Sequence, residues 1–325
     1  DGHSDVIIGA PSFANGQAAE GAAYLFQGSS LGLSGFPVWS IESDQAGAEL
    51  GYSVAGAGDI NGDGYSEVLV GAPFYTKGES EEGHARLYAG SSGGLATTPA
   101  WEVESDMANN RLGWSVSSAG DVNDDGLLDL IVGAPGAAEV YVYSGDQVGG
   151  FALLATLSAG LEPDDRFGGS VGTAGDINDD DRSEVVVGAP HFPAAGGHGG
   201  RVYVFEAEDG SDPIYTIEGS GPSDLLGADV DGGRDLNGDT VPDLMASALG
   251  TDWTGPLGFG YVKTFSGADG TLLNTVTSTR AGDLFGFSAE LSDPCDGMNP
   301  ALIVGAPQAV NPGNNKITGR VVAYN

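Results

Sequence analysis

Short apolar runs recur along the chain, and a Gly-Ala-Pro turn closes most of them. Val-Leu-Val at residues 68–70, Leu-Ile-Val at 130–132 and Val-Val-Val at 185–187 follow this pattern. Apolar runs of this length that end at turn-forming residues predict buried strands. The turns are about 55–62 residues apart, as the steps from Gly71 to Gly133 (62) and from Gly133 to Gly188 (55) show. A fixed period of this size predicts a repeat architecture.

Each repeat carries further segments with strand character. In the second repeat these are residues 50–55, 85–89 and 101–104, and alternation of apolar and polar positions suits half-buried antiparallel strands. Four antiparallel strands per unit, in six visible units, predict an all-β fold, a β-propeller of four-stranded blades that occupies residues 1–325 as one domain. A solenoid is the alternative, although its repeats are usually shorter. The first repeat lacks its first strand and the last lacks its fourth, so we expect flanking sequence to supply them.

An acidic loop precedes each apolar run. In the loop at residues 121–129, oxygen-bearing side chains stand at positions 1, 3, 5 and 9, and Gly126 at position 6 permits a left-handed backbone. Calcium takes about six to eight oxygen ligands. Three side chains, the backbone carbonyl at position 7 and a bidentate carboxylate at position 9 would supply six. The loops therefore predict structural calcium sites between strands 1 and 2 of the blades. The alternative is a set of Asx-rich turns without metal, in which several carboxylates converge with no cation.

The predicted calcium ligands stand at positions 1, 3, 5, 7 and 9 of each loop, with position 7 contributing its carbonyl. They are Asp59, Asn61, Asp63, Tyr65 and Glu67; Asp121, Asn123, Asp125, Leu127 and Asp129; Asp176, Asn178, Asp180, Arg182 and Glu184; Asp235, Asn237, Asp239, Val241 and Asp243; and, in an incomplete first loop, Asp1, His3 and Asp5.

Two loops depart from the pattern. Thr240, a β-branched residue, stands at position 6 of the loop at residues 235–243, where the left-handed backbone does not suit it. The loop at residues 293–301 has Cys295, Gly297 and Ala301 at positions 3, 5 and 9 and is expected to bind no metal. None of the loops is an EF-hand, because position 12 lies in a strand and carries no bidentate Glu.

Charge excludes one class of partner. The net charge is −35, from 11 basic and 46 acidic residues, whereas binding to nucleic acid requires a basic surface. No apolar run is long enough to cross a membrane, so no membrane insertion is predicted. Cys295 is the only cysteine and cannot form an internal disulfide.

One apparent catalytic motif has a structural explanation. Residues 168–172 read Gly-Gly-Ser-Val-Gly, which matches the Gly-x-Ser-x-Gly pattern of hydrolase nucleophiles. The same slot reads Gly-Tyr-Ser-Val-Ala at 51–55 and Gly-Trp-Ser-Val-Ser at 113–117, so Ser170 belongs to the repeat. We predict no catalytic residues in this chain.

The complete repeat has a known counterpart. Phe-Gly or Leu-Gly before the acidic loop, Asp-x-Asn-x-Asp within it and Gly-Ala-Pro after it resemble the FG-GAP repeat of integrin alpha-subunit propellers and their bacterial relatives. The resemblance covers nearly the whole chain. It implies a propeller that normally has seven blades, with calcium in the loops of several blades, so a seventh blade is expected outside this segment. It also implies an extracellular or cell-surface location and a partner subunit.

The predicted ligand-binding surface is the face opposite the calcium loops. The loops that follow Gly-Ala-Pro vary most among the repeats, and variable loops on a repeated scaffold can carry function. The alternative is that they are solvated connectors. The candidate ligand-binding residues in these loops are Phe74, Tyr75, Phe192 and Trp253.

Three functions are compatible with the sequence. The first is a non-catalytic adhesion or recognition module, calcium-bound and extracellular, for protein or glycan ligands. The second is the accessory propeller of a secreted enzyme that cleaves carbohydrates or lipids. The third is a structural subunit of a surface assembly. The absence of an acid–base pair or nucleophile arrangement outside the acidic loops favours the first and third.

Overall fold

The computed structural model describes residues 3–146, 150–194, 196–208, 210, 212–250, 258–292, 301–309 and 317–324. The chain divides into two compact units. Unit 1 comprises Asp1–Ser118 and Asp125–Thr156, and unit 2 comprises Ala119–Asp124 and Leu157–Asn325.

The first three blades follow one another along the chain. Blade 1 is a three-stranded sheet, and blades 2 and 3 have four strands each. Their strands are β1 (Val6–Ala10), β2 (Ala22–Phe26) and β3 (Trp39–Glu42); β4 (Ser53–Gly58), β5 (Glu67–Ala72), β6 (His84–Tyr88) and β7 (Trp101–Glu104); and β8 (Ser115–Gly120), β9 (Asp129–Ala134), β10 (Glu139–Tyr143) and β11 (Leu153–Leu157).

Blades 4 to 6 repeat the arrangement. A short 3₁₀ helix at Pro163–Asp165 precedes blade 4, and a two-stranded ribbon, β14 (Pro193–Ala194) with β15 (Gly197–His198), lies between its second and third strands. The blade strands are β12 (Ser170–Gly175), β13 (Glu184–Ala189), β16 (Arg201–Glu206) and β17 (Tyr215–Glu218); β18 (Val230–Arg234), β19 (Asp243–Ala248), β20 (Tyr261–Phe265) and β21 (Leu272–Thr277); and β22 (Ser288–Ser292), β23 (Ala301–Ala306) and β24 (Arg320–Tyr324).

Strands that are consecutive in each blade are neighbours in its sheet, and the registers are antiparallel. The second strands of blades 2 to 5 are buried along their whole length, as their continuous apolar runs predict. The predicted fold class is confirmed: in its described residues the protein is an all-β propeller of six antiparallel blades, of which blades 2 to 5 are four-stranded. Blades 1 and 6 have three strands each, as their incomplete repeats indicate.

The first strand of a blade begins later than the sequence predicts. We expected a strand over residues 50–55, but β4 starts at Ser53. Gly51 has φ +79°, which ends regular extended structure, and a Cβ there would overlap the carbonyl of Ala22. Leu50 instead forms an isolated parallel bridge with Gly21 of the preceding blade. The Leu-Gly pair therefore joins blades.

The glycine of Gly-Ala-Pro completes this junction. A Cβ on Gly71 would overlap the carbonyl of Gly113, which belongs to the next blade. The Ser53 hydroxyl donates to that same carbonyl at 2.9 Å. Two glycines and a serine thus allow close backbone contact between adjacent blades, which explains why small residues recur at these positions.

Aromatic residues of the outer strands pack between blades. Trp39 is buried, meets Tyr88 of blade 2 edge-on at 5.1 Å between ring centroids, and donates its indole N–H to the Ala96 carbonyl at 2.8 Å. Trp101 packs in the same way against Tyr143 of blade 3, with ring centroids 4.9 Å apart. Aromatic pairs of this geometry contribute about 0.5–1.5 kcal/mol beyond their buried area.

Candidate metal-binding loops and recognition face

The loop between β4 and β5 shows how the acidic residues are held. The Asp59 carboxylate accepts the N–H groups of Asp63 at 3.1 Å and Gly64 at 2.9 Å. Asp63 in turn accepts the N–H of Tyr65 at 2.9 Å. These bonds wind the loop tightly, so that positions 1, 3 and 5 share one short turn. The loops between β12 and β13 and between β18 and β19 repeat these bonds, with Asp176, Asp180, Asp235 and Asp239 as acceptors.

The carboxylate at position 9 is buried and anchored at both oxygens. Glu67 accepts the N–H of Ile60 at 3.1 Å through one oxygen and that of Gly90 at 3.1 Å through the other. Asp243 accepts the corresponding N–H groups of Leu236 and Gly267. This residue therefore ties the loop to the turn after the blade's third strand, and sequence spacing alone could not reveal that contact.

Burial raises the pKa of these position-9 carboxyls. The pKa of Glu184 rises to about 7, mainly because burial disfavours the charged form, and the neighbouring Asp180 and Asp176 add repulsion. Burial also raises the pKa of Glu67 and of Asp243, again with the loop's own aspartates adding to the shift. Each loop thus concentrates negative charge that a cation would stabilise.

The donor sets of these loops fit a hard divalent cation. In the loop at residues 235–243, the Asn237 amide Nδ2 donates to Asp239 Oδ2 at 2.9 Å and to Asp243 Oδ1 at 3.3 Å. Positions 3, 5 and 9 are therefore in mutual contact, with an amide N–H group between two carboxylates. In the loop at 176–184, Asn178 likewise donates to Glu184 at 2.9 Å. Among the residues that the structure describes, no loop brings three carboxylate oxygens within 4.8 Å of one another.

The remaining predicted ligands are described in part. In the loop at residues 121–129, Asp125 accepts the N–H of Leu127 at 2.9 Å, and the buried Asp129 accepts that of Gly145 at 2.7 Å. In the first loop, Asp5 accepts the N–H of Gly28 at 2.8 Å, and His3 lies on the surface. Asp1 and residues 293–300 of the degenerate loop lie outside the described residues.

Position 6 adopts the left-handed conformation in the four complete loops, whatever residue occupies it. Gly64 has φ +91°, Asp181 +69° and Thr240 +75°. A β-branched residue in this region is strained by about 1–3 kcal/mol. The sequence prediction that Thr240 does not suit its backbone is consistent with this geometry.

Replacing Thr240 with glycine should stabilise the protein. We expect Thr240→Gly to raise the free energy of unfolding by about 1 kcal/mol, because the strain at φ +75° is relieved. Gly64→Thr is the matched reverse change and should destabilise the protein by a similar or larger amount. Urea unfolding of both variants in excess chelator would measure this. Destabilisation by Thr240→Gly would show that the threonine is not strained.

An aromatic cluster lies at the opposite end of blades 2 and 3. Phe74, which follows Gly-Ala-Pro, packs 6.1 Å from Tyr52 and 6.0 Å from Trp114, and the Tyr52 and Trp114 rings are 4.6 Å apart. The Arg111 guanidinium lies over Phe74 at 5.4 Å and pairs with Glu81 at 2.9 Å. Tyr52 is 37% exposed, so part of the cluster faces solvent.

Sequence reasoning found one member of this cluster and missed the others. The sequence predicts Phe74 from its place in a loop, whereas Tyr52 and Trp114 stand at position x of the motif Gly-x-Ser, which the sequence pattern predicts to lie in a strand. The aromatic residue at x in both copies was the available signal. The left-handed glycine before x, Gly51 or Gly113, ends regular extended structure, so x precedes the strand.

Two other candidate ligand-binding residues, Tyr75 and Phe192, are half-buried. The Tyr75 ring is tilted by 40° against the ring of the buried His84, with 4.6 Å between ring centroids, and it packs against the core between blades 1 and 2. Phe192 lies beneath the Arg201 guanidinium at 3.7 Å. Trp253 lies outside the described residues.

Ser170 is engaged in blade packing. It is buried, and its hydroxyl donates to the Gly227 carbonyl of blade 5 at 2.9 Å, which repeats the bond from Ser53 to Gly113. The Gly-x-Ser-x-Gly match is thus accounted for by the junction between blades. No helix in the described part of the chain is long and apolar enough to cross a membrane.

Comparison with known proteins identifies the repeat. The family model described as "FG-GAP repeat" matches residues 50–88, 112–150 and 167–205. Integrin alpha-5 of Xenopus laevis is 31% identical over 63% of this chain and 20% of its own length. Integrin alpha-IIb of Mus musculus is 35% identical over 48% of this chain and 15% of its own length.

A relative with a different name aligns over more of the chain. Phosphatidylinositol-glycan-specific phospholipase D of Homo sapiens is 28% identical over 100% of this chain and 44% of its own length. The chain therefore spans between about a seventh and less than half of the length of these three relatives.

Proposed function

Because the chain is an FG-GAP repeat β-propeller related to integrin alpha subunits, we propose that it is an extracellular adhesion or recognition module that binds calcium. The module binds a protein or glycan ligand through the face that carries Phe74, and a partner subunit is a second candidate for the same face. The observation that carries this proposal is the separation of two features at opposite ends of the same blades. Acidic loops lie at one end, and a partly exposed aromatic and arginine cluster lies at the other.

Calcium is proposed for the loops at residues 59–67, 121–129, 176–184 and 235–243. The side-chain atoms that these loops offer to a metal ion are oxygens, which favours a hard cation over zinc or copper. The buried position-9 carboxylates have raised pKa values, so binding of a cation would hold them ionised and release protons. The role of the ion is structural: it stabilises the loop between the first two strands of a blade.

An extracellular location follows from this proposal. Extracellular calcium modules bind with dissociation constants of about 10⁻⁴–10⁻³ M, which suits sites that remain filled outside the cell. The net charge of −35 leaves an acidic surface even after four divalent cations are bound. The integrin alpha relatives support the same location.

The aromatic cluster is proposed as part of the ligand-binding surface. Rigid aromatic residues and arginine are the residue types that contribute most to binding energy in protein interfaces. The cluster draws on two adjacent blades, and it is held by the edge-on contacts and the cation–π contact already described. Tyr75 and Phe192 are half-buried at the same end of their blades, beside His84 and Arg201.

Substitution of this cluster should weaken binding without unfolding the protein. We expect Tyr52→Ser with Phe74→Ser to weaken ligand binding by at least about thirtyfold, because a single hot-spot aromatic contributes about 2 kcal/mol or more. Biolayer interferometry against the protein or glycan that the wild-type chain captures would measure the loss.

Tyr65→Ser is the matched control, because Tyr65 is also partly exposed but lies in an acidic loop at the other end of blade 2. Its backbone carbonyl, the proposed ligand, is retained. Undiminished binding by the folded double variant, or loss of binding in Tyr65→Ser alone, would overturn the assignment of the face.

A second candidate function is an accessory propeller of a secreted lipid- or carbohydrate-cleaving enzyme. The alignment with the phospholipase over the whole chain favours it. In this case the propeller would be non-catalytic and would present substrate to a catalytic domain. Assay of the isolated chain for phospholipase and glycosidase activity, with Ser170→Ala as the comparison, tests the non-catalytic assignment. Activity that is lost in a folded Ser170→Ala variant would contradict it.

A further inference from the structure

Three carboxylates from two segments meet in blade 1, away from the acidic loops. Glu20 precedes β2, Glu42 ends β3, and Asp44 follows two residues later. One carboxylate oxygen of each lies within 4.8 Å of those of the other two. The register of the sheet, with Ala22 opposite Glu42, brings the segments together. Asp5 lies at the other end of the same sheet, beside Gly28.

Glu20 is the buried member of this group. Its side chain is fully buried, and one carboxylate oxygen accepts the N–H of Asn15. The other oxygen, Oε2, is buried and has no hydrogen-bond partner among the residues that the structure describes. A buried carboxylate with an unsatisfied oxygen is unfavourable unless a cation or donor compensates it. Asn15 also donates its side-chain amide N–H to the Glu42 carboxylate at 3.0 Å. The amide group carries no charge, so it does not neutralise the carboxylate.

Blade 2 has glutamates at the corresponding positions, but among the described residues they do not belong to a group of three carboxylates within 4.8 Å. Glu82 and Glu104 correspond to Glu20 and Glu42, each 62 positions further along the chain (82 − 20 and 104 − 42). The two blades share a serine hydrogen bond at this place. The Ser43 hydroxyl donates to the backbone carbonyl of Glu20 at 2.7 Å, and the Ser105 hydroxyl donates to that of Glu82 at 2.8 Å. Glu82 Oε2 is also buried without a partner among the described residues, so that feature is common to the two blades.

The two blades differ in the charge of the residue at Asn15 and at its counterpart in blade 2. Its counterpart in blade 2 is Lys77, whose ammonium lies 2.8 Å from the Glu104 carboxylate. Blade 2 therefore carries a positive charge within its own acidic group. Blade 1 keeps the acidic residues but has the neutral Asn15 at the equivalent position.

We propose that Glu20, Glu42 and Asp44 bind a divalent cation of the calcium class, which supplies positive charge beside Glu42 as Lys77 does beside Glu104 in blade 2. Three carboxylates offer up to six oxygens, and water completes the coordination of a calcium ion. Donors that are all oxygen favour calcium, magnesium or manganese over zinc and copper. This site is separate from the acidic loops and lies at the end of the blade where the loops after Gly-Ala-Pro are found.

The test places a lysine where blade 2 has one. We expect Asn15→Lys to bind one calcium ion fewer than the wild-type chain in equilibrium dialysis at millimolar calcium, because the ammonium would occupy the cation's place beside Glu42. Glu20→Gln should lose the same ion by removing a ligand. Circular dichroism and thermal melts would establish that each variant is folded, and Asn15→Lys is expected to fold because it copies a pair that blade 2 already contains.

Asn274→Lys is the charge-matched control, because Asn274 is exposed in β21 of blade 5 and far along the chain from the site. It should bind as many ions as the wild type. An unchanged stoichiometry in Asn15→Lys, or an equal loss in Asn274→Lys, would overturn the proposal. If the acidic loops bind no calcium, the wild-type chain will bind fewer ions in total. Asn15→Lys would still bind one ion fewer than the wild type, so the two outcomes can be distinguished.

Discussion

Removal of calcium should lower the melting temperature by roughly 20 °C while the chain retains its strand-rich circular dichroism. A site that is occupied at a hundred times its dissociation constant adds about 2.7 kcal/mol to stability. Four independent sites would add about 11 kcal/mol, and each kcal/mol corresponds to about 2 °C in a protein of this size. The effect is large because a domain's net stability is only about 5–15 kcal/mol. Thermal melts in excess EGTA and in millimolar calcium would measure it.

Variants of one loop make this experiment specific. Asp63→Ala removes a proposed side-chain ligand and should take away about a quarter of the calcium-dependent increase in melting temperature. Tyr65→Ser alters the same loop but preserves the carbonyl ligand, so it should keep the full increase. If excess EGTA leaves the melting curve unchanged, calcium does not contribute to the stability of this protein. If the two variants have equal effects, the altered loop and not the loss of a ligand is responsible.

In the absence of calcium, the protein should lose stability as the pH rises from about 4 to about 7. Burial raises the pKa of Asp229 to about 7 and that of Asp231 to about 6, and nearby acidic groups add to both shifts. The two carboxylates accept the N–H groups of Ala289 at 2.7 Å and Leu291 at 2.8 Å, so they join blade 5 to blade 6. Glu290 is the nearby acid of blade 6, and Arg234 is the cation that partly offsets the shift of Asp231.

The direction follows from proton binding. Between the unfolded pKa of about 3.9 and the folded values, the folded state holds more protons than the unfolded state. The free energy of unfolding therefore falls as the pH rises through this window. We expect Asp229→Asn to be about 2 kcal/mol more stable than the wild type at pH 8, after allowance for partial exposure of the carboxyl, and nearly equal to it at pH 4. The amide oxygen can still accept the N–H of Ala289.

Asp269→Asn is a control of opposite sign. Hydrogen bonds from Thr271 lower the pKa of Asp269, so its carboxylate contributes stability at neutral pH that is lost as the pH falls through its folded pKa. The substitution should destabilise the protein at neutral pH and have little effect in acid. Urea unfolding in EGTA at pH 4, 6 and 8 would compare the variants. A difference between Asp229→Asn and wild type that does not change with pH would contradict the assignment.

The features that sequence determined are those that fit within one repeat. The period, the buried second strands and the spacing of the acidic loops follow from residues a few positions apart, where hydrophobic alternation and loop geometry operate. The left-handed residue at position 6, including Thr240, is of this kind. The backbone of position 6 is predictable because a nine-residue loop that reverses direction needs a left-handed residue there.

The features that only the tertiary structure decided are contacts between repeats and between distant strands. The sequence pattern predicts Gly51 to lie in a strand, but its approach to Ala22 of the preceding blade makes it part of a junction. Tyr52 and Trp114 are brought to one cluster by the packing of adjacent blades, across 62 residues (114 − 52). Glu20 and Glu42 meet because the register of β2 and β3 sets them side by side. Local periodicity carries no information about these distances, because they depend on how blades pack and strands pair.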